Sequence, residues 1–236
     1  MSEAVKQDGG RGTRRAEQAR ATRRRIIDQA ARLFAEQGYA ATTLDQIAAA
    51  ADVAVQTVYF HFRNKATVLK EVVDVLAAGD DEPVPLLDRP WVRRMRDDPD
   101  GARALATWLH NTRAIFGRVA PVMKIVRDAA GSDPQMAAQW QANLAQRYAA
   151  QLAVIQQLAD KGALRPELTV DRAADIVFCL VSFEVYLLLT AERGWTPAQW
   201  ERWITATLTA AILRLTRPAP RQNPQYAPRA DTKPAS

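Results

Sequence analysis

Along most of the chain, apolar residues recur every three or four positions between short polar interruptions, and this spacing predicts helices nearly throughout. In "RRAEQARATRRRIIDQAARLFAEQGY", Ile26, Ile27, Ala30, Ala31 and Phe34 share a face, and Gly38 stands where a left-handed residue would end the helix. In "TTLDQIAAAADVAVQTVYFHF", Thr43 and Gln46 read as a capping box ahead of Leu44, Ile47 and Ala48. Asp52-Val53 breaks that short helix, and a second runs from about Val55 to Phe62. Two short helices joined by a tight turn make a helix-turn-helix unit. Asn64 then reads as the N-cap of a helix carrying Val68, Leu69, Val72, Val73 and Leu76 on one side.

The proline-rich, acidic stretch "GDDEPVPLLDRP" marks a boundary, so residues 13–78 form one domain, 79–98 a linker region and 99–216 a second domain. Asp98-Pro99 is expected to open a helix striped with Leu105, Trp108, Leu109, Thr112, Phe116 and Val119. Pro121 is expected to open a short helix ending at Gly131. Asp133-Pro134 opens a long one bearing Met136, Trp140, Leu144, Tyr148, Leu152 and Ile155, ended by Gly162. Thr169 caps another to about Glu192, and Thr196-Pro197 with Gln199 opens the last, through Leu215. Residues 1–12 and 217–236 are polar or proline-rich without periodicity and are expected to be disordered. No strand and no internal repeat is expected. The fold class is all-α, an N-terminal three-helix helix-turn-helix domain followed by a C-terminal helical bundle.

Composition narrows the chemistry. At 236 residues, 48% hydrophobic and 25% charged, the chain is long enough to bury a real core. A formal charge of +6 calls for an acidic partner, either nucleic acid or a membrane surface. Cys179 is the only cysteine, which excludes an intramolecular disulfide, and its apolar neighbours predict a core position. The apolar run 176–191 is short for a membrane span and contains Glu184, and the N-terminus lacks the apolar segment of a signal peptide. A cytoplasmic protein with no membrane partner is expected. Two histidines and one cysteine, far apart, offer no metal site. Without a nucleophile–base pair or a phosphate loop, neither catalytic residues nor a cofactor are expected. His110 lies opposite its helix's apolar stripe and is expected to be solvated.

The segment "VQTVYFHFRNK", residues 55–65, is where the chemistry concentrates. The second helix of a helix-turn-helix enters the major groove. Val58 and Phe62, one turn apart, can pack inward, which leaves Gln56 and Thr57 on the outer face beside Tyr59 and His61. Gln can contact adenine bidentately and Thr can offer a methyl to thymine. Tyr59, His61 and Lys65 can donate to phosphate, with a packed, structural role as the alternative for His61. Arg14, Arg15, Arg20, Arg23, Arg24 and Arg25 oppose the macrodipole of the first helix. They are either added phosphate contacts or a solubilising arm.

"IIDQAARLFAEQGYAATTLDQIAAAADVAVQTVYFHFRNKATVL" resembles the N-terminal domain of TetR-family transcriptional regulators over some fifty residues, with Tyr59, Phe62 and Lys65 matching the family's Y-x-x-F-x-x-K spacing. The resemblance implies that Thr43 touches a phosphate, that Val55, Gln56, Thr57 and Tyr59 sit in the groove, and that His61 and Lys65 hold the DNA backbone. Asp52 stands where the family often has glycine, and Ala54 where it often has a Ser or Thr cap. A missing cap of that kind costs on the order of 1 kcal/mol.

The resemblance further implies an effector pocket in the second domain, with Trp108, Thr112, Phe116, Met123, Trp140, Asn143, Phe178 and Ser182 as candidate contacts and Glu184 as another polar one. It also implies a homodimer formed by the last two helices, which carry apolar residues nearly all round after Asp175 and at Trp200, Ile204, Leu208, Ala211, Ile212 and Leu215. The expected function is a DNA-binding transcriptional regulator, a repressor released from a double-stranded palindromic operator by a small apolar effector. The alternatives are a helical adaptor and an enzyme using the pocket.

Overall fold

The computed structural model describes residues 8–79 and 88–214, with side chains from residue 14. The chain folds as helices α1 (Asp8–Ala41), α2 (Leu44–Ala50), α3 (Val55–Phe62), α4 (Lys65–Ala78), α5 (Pro90–Asp97), α6 (Gly101–Ala129), α7 (Pro134–Asp160), α8 (Val170–Leu180), α9 (Phe183–Leu187) and α10 (Pro197–Ile212). A π-helical turn, Leu188–Glu192, follows α9. Among the described residues the only β pairing is an isolated bridge between Leu164 and Leu213.

Helix starts follow their caps. The boxes Thr43/Gln46 and Thr196/Gln199 close in both directions, and Asn64, Asp133 and Thr169 each accept from a backbone N–H of the first turn. Gly38 interrupts α1 with φ 78 and ψ 175, a conformation open essentially to glycine, rather than the left-handed helical one expected. Asp52 takes φ 52 in the turn between α2 and α3, the left-handed conformation that Asp adopts more readily than most residues.

Several expectations are corrected. The region 79–98 is not linker throughout, because α5 occupies 90–97 and buries Val92 and Met95; residues 80–87 lie outside the described residues. Asp98 ends α5 instead of opening α6, which is capped by Asp100. Gly101 is required there, since a Cβ would meet that of Ala163 at 2.3 Å. Pro121 does not start a helix but lies inside α6. An internal proline costs about 3 kcal/mol or more. The buried stripe runs past it on both sides, through Phe116, Val119, Val122, Met123 and Val126, and burial at about 1.5–3 kcal/mol per large apolar side chain outweighs that.

The single helix expected from Thr169 to Glu192 is broken at Val181, where Ser182 caps α9 and the Gln151 side chain takes the Val181 carbonyl at 2.8 Å. Residues 170–192 are long and apolar enough to cross a membrane by length and composition, longer than the run 176–191, yet one face of this segment packs on α7 and α6. Cys179 is exposed, not core. Residues 8–12, expected to be disordered, have helical backbone, while 1–7 and the expected tail at 217–236 lie outside the described residues.

α6 is the axis of the molecule. It packs against α1, α4 and α5 on one side and α7, α9 and α10 on the other, so one core joins both halves of the chain. Phe34, Phe62, Leu105, Leu109, Ile155 and Trp200 are fully buried within it. Arg118 of α6 donates to the Leu76 carbonyl at 2.8 Å and the Ala77 carbonyl at 3.3 Å, satisfying the C-terminal end of α4.

Candidate nucleic-acid interface and ligand cavity

Helix α3 is seated by Val58 and Phe62, both essentially inaccessible, against α1, α2 and α4. Ala54 supplies no side-chain cap, so its carbonyl, accepting from Thr57 N–H at 2.9 Å, starts the helix unaided. The other face is open. Gln56 is exposed, Val55, Thr57 and His61 are half-buried, Tyr59 is 51% exposed and Phe60 is 84% exposed. Phe60, given no role in the sequence reading, is the most exposed large apolar side chain recorded among the described residues. Thr43 is exposed at the start of α2, its hydroxyl oxygen accepting from Gln46 N–H at 3.1 Å.

At the end of α3, Arg63 takes φ 63 while Asn64 N–H donates to the Phe62 carbonyl at 2.7 Å, a tight three-residue turn that leaves Arg63 exposed. The His61 ring is flanked by Phe60 and Phe62, with centroids at 5.3 and 5.9 Å. Burial, and secondarily the positive Arg23, lower its pKa below the usual histidine value. Arg23 is not part of a free arm: it pairs with Glu71 and lies 5.5 Å from the Phe62 ring centre. Arg24 pairs with Asp28 at 2.9 Å, whereas Arg14, Arg15, Arg20 and Arg25 are exposed.

Lys65 is turned inward. Its ammonium donates to the Tyr39 carbonyl at 2.7 Å and the Ala40 carbonyl at 3.4 Å, and stands 4.3 Å from the Tyr39 ring centre. The expectation that it is simply a phosphate donor is thereby corrected: two of its three N–H groups are engaged in tying α4 to the end of α1. The Tyr39 hydroxyl in turn lies within the influence of the carboxylate of Asp133, the cap of α7. Burial first, and the Asp133 carboxylate second, push the Tyr39 pKa up to about 12.

In the second half, α4, α5, α6, α7 and α9 enclose a cavity of about 280 Å³. Trp108, Thr112, Phe116, Met123 and Asn143, all anticipated, line it. Three anticipated residues do not. Trp140 packs edge-on against Phe183 at 5.5 Å, Phe178 packs edge-on against Tyr148 at 5.4 Å, and Ser182 spends its side chain capping α9. Glu184 also lies outside and pairs with Arg147 at 3.4 Å. Missed by sequence reasoning were Trp91 and Met95, hidden in the supposed linker, and the polar pair Arg147 and Gln151 on α7. The spacing of that pair by one helical turn was the available signal. His110 is largely solvated, as expected, and lies 3.0 Å from Glu201. Among the described residues no cluster of three His, Cys, Asp or Glu could hold a metal.

This is a helix-turn-helix unit followed by a helical bundle that holds an apolar cavity. Residues 26–72 match the family model described as "Bacterial regulatory proteins, tetR family", so the similarity to that family lies in the helix-turn-helix segment. The HTH-type transcriptional regulator AcrR of Shigella flexneri is 41% identical over 56 residues, 24% of this chain and 26% of that protein. TtgR of Pseudomonas putida is 43% identical over 60 residues, 25% of this chain and 29% of that protein. The aligned stretch thus spans less than half the length of the curated relatives it matches. The fold extends further. NalD, the secondary repressor of the MexAB-OprM multidrug efflux pump in Pseudomonas aeruginosa, superimposes with TM-score 0.65 at 21% identity, covering 85% of this chain and all of that one. SmeT, in its complex with triclosan, gives TM-score 0.65 at 21% identity over 92% of this chain and 99% of that one.

Proposed function

We propose that the protein is a cytoplasmic, dimeric transcriptional regulator that reads a palindromic operator with α3 and is released from it by a small, mostly apolar effector in the cavity. The observation that carries this reading is the division of α3. Val58 and Phe62 fix the helix in the core, while Gln56, Thr57, Tyr59 and Phe60 are left accessible at the surface. In this reading Gln56 and Thr57 meet base edges, Val55 and Phe60 make apolar contacts, and Thr43, Tyr59, His61 and the exposed arginines meet phosphate.

Residues left partly exposed on α8, α9, the π-helical turn and α10, among them Ile176, Leu187, Leu188, Trp203 and Ala211, supply the homodimer surface. A two-fold partner would set the two α3 helices about 34–36 Å apart, one turn of DNA. Two links couple cavity to reading head. Arg118 of α6 holds the end of α4, and Asp133 of α7 acts on Tyr39, while α6 and α7 both line the cavity. A ligand that binds one subunit arrangement better than the other shifts the population by that difference in affinity.

Selection from random DNA duplexes by the purified protein tests the reading. An enriched palindrome is the expected result. A helical adaptor that binds protein instead would retain no sequence, and its affinity would lack the steep salt dependence of DNA binding.

A further inference from the structure

The cavity is almost entirely apolar, but two of its lining residues, both on α7, carry a buried polar atom that has no hydrogen-bond partner among the described residues. Gln151 is 4% exposed; its amide nitrogen donates to the Val181 carbonyl at 2.8 Å, which leaves Oε1 buried and unbonded. One turn earlier, Arg147 points a guanidinium nitrogen at Glu184 from 3.4 Å and lies 4.3 Å from the Phe178 ring centre, while its Nε is buried and unbonded. Both residues line the cavity. Side chains four apart on a helix are neighbours, about 5–6 Å between Cβ atoms. An acceptor and a donor, each lacking a bond, therefore belong to neighbouring positions on one face of α7.

Gln146, also in the lining, is exposed to solvent, and the Thr112 and Asn143 side chains are engaged. The Thr112 hydroxyl donates to the Trp108 carbonyl at 2.9 Å, and the Asn143 amide accepts from Gln139 at 2.8 Å and donates to Met123 sulfur at 3.5 Å. Glu184 already balances the Arg147 charge, so an anionic ligand would bring an uncompensated negative charge beside it. A hydroxyl is the simplest group that donates and accepts at once. The volume sets the size: a dry apolar cavity of about 150 Å³ takes one benzene ring, so about 280 Å³ suits two rings.

Resting on the reading of this cavity as the effector site, we infer that it is built for an uncharged, two-ring-sized apolar molecule bearing a hydroxyl that donates to Gln151 Oε1 and accepts from Arg147 Nε–H. Calorimetry on the full chain at pH 7 with 2-naphthol, 2-methoxynaphthalene, naphthalene and 2-naphthoate tests it. The expected result is 2-naphthol binding about tenfold or more tighter than each of the other three, since the methoxy compound cannot donate and the carboxylate carries charge. Arg147→Lys, which keeps a cation opposite Glu184, and Gln151→Met are each expected to shrink the naphthol-to-naphthalene ratio to within threefold. Should a variant fail to fold by circular dichroism, the comparison of naphthol with its methyl ether in the wild type decides alone.

Equal binding of naphthol and naphthalene would overturn the inference and mean that water satisfies the pair, with the cavity still the effector site. Tightest binding by naphthoate would overturn it in favour of Arg147 reading an anion. A ratio that persists in both folded variants would overturn the residue assignment. Binding of none of the four would overturn both this inference and the effector cavity itself.

Discussion

The Lys65 ammonium lies 2.7 Å from the Tyr39 carbonyl oxygen and 4.3 Å from the centre of the Tyr39 ring, so the first residue of α4 clamps the end of α1. Burial depresses its pKa, with Asp133 acting in the opposite direction. Lys65→Ala is expected to lower stability by about 1–2 kcal/mol, from a charge-assisted hydrogen bond and a cation–π contact at a partly exposed site. DNA affinity should fall for all sequences alike. Urea midpoints together with binding to selected and scrambled duplexes check this; an altered sequence preference would contradict it.

Phe60 and Gln56 separate binding from folding. Both are solvent-facing in the free protein, so Phe60→Ala and Gln56→Ala should leave stability within about 0.5 kcal/mol. Gln56→Ala should reduce discrimination at one base pair by about 1–3 kcal/mol, read from competition between singly substituted duplexes. Phe60→Ala should weaken binding without moving the salt slope, because no phosphate contact is lost.

His61 makes stability depend on pH. Its folded-state pKa is depressed, first by burial and then by Arg23, so the unfolded chain takes up a proton first as the pH falls. The contribution of His61 is present above about pH 6.5, the ordinary histidine value, and is lost as the pH drops through the folded value. Denaturation midpoints between pH 7.5 and 5, taken as about one-half-unit steps, should decline less in His61→Gln than in the wild type. Operator affinity should move the other way, rising on acidification, since phosphate favours the protonated ring.

The Tyr39 hydroxyl links the two halves through the Asp133 carboxylate that acts on it. Tyr39→Phe keeps the ring on Phe34 and under Lys65 and removes only the hydroxyl that Asp133 acts on, at a cost of about 1 kcal/mol. The expected outcome is near-normal operator binding without effector and a weakened release when effector is added. Because the Tyr39 pKa is raised from 10.0 to about 12, its contribution holds below pH 10 and is lost between pH 10 and 12; the phenylalanine variant should lack that loss.

Leu188 is 48% exposed on the face assigned to the dimer. Leu188→Lys should shift the sedimentation of the protein from dimer to monomer, and operator affinity should drop with it. A wild-type chain that sediments as a monomer at binding concentrations would remove the dimer from the proposal.

Short-range chemistry was legible in the sequence. Thr43 with Gln46, Asn64, Asp133, Thr169 and Thr196 with Gln199 each start the helix they were expected to start, because a cap is a bond between residues two or three apart. The seating of Val58 and Phe62 and the outward position of Gln56 follow equally from helical periodicity. Only the tertiary structure decided the rest. Pro121 stays inside α6 because the buried stripe of that helix continues before and after it, and α5 forms where composition reads as linker because Val92 and Met95 find a core to enter. Trp140 and Phe178 turn to aromatic partners while Trp91, Arg147 and Gln151 face the cavity, and Lys65 finds carbonyls 25 and 26 residues away. Spacing along a helix says which residues share a face; what lies opposite that face depends on how distant helices are rotated and packed, and no local pattern encodes that.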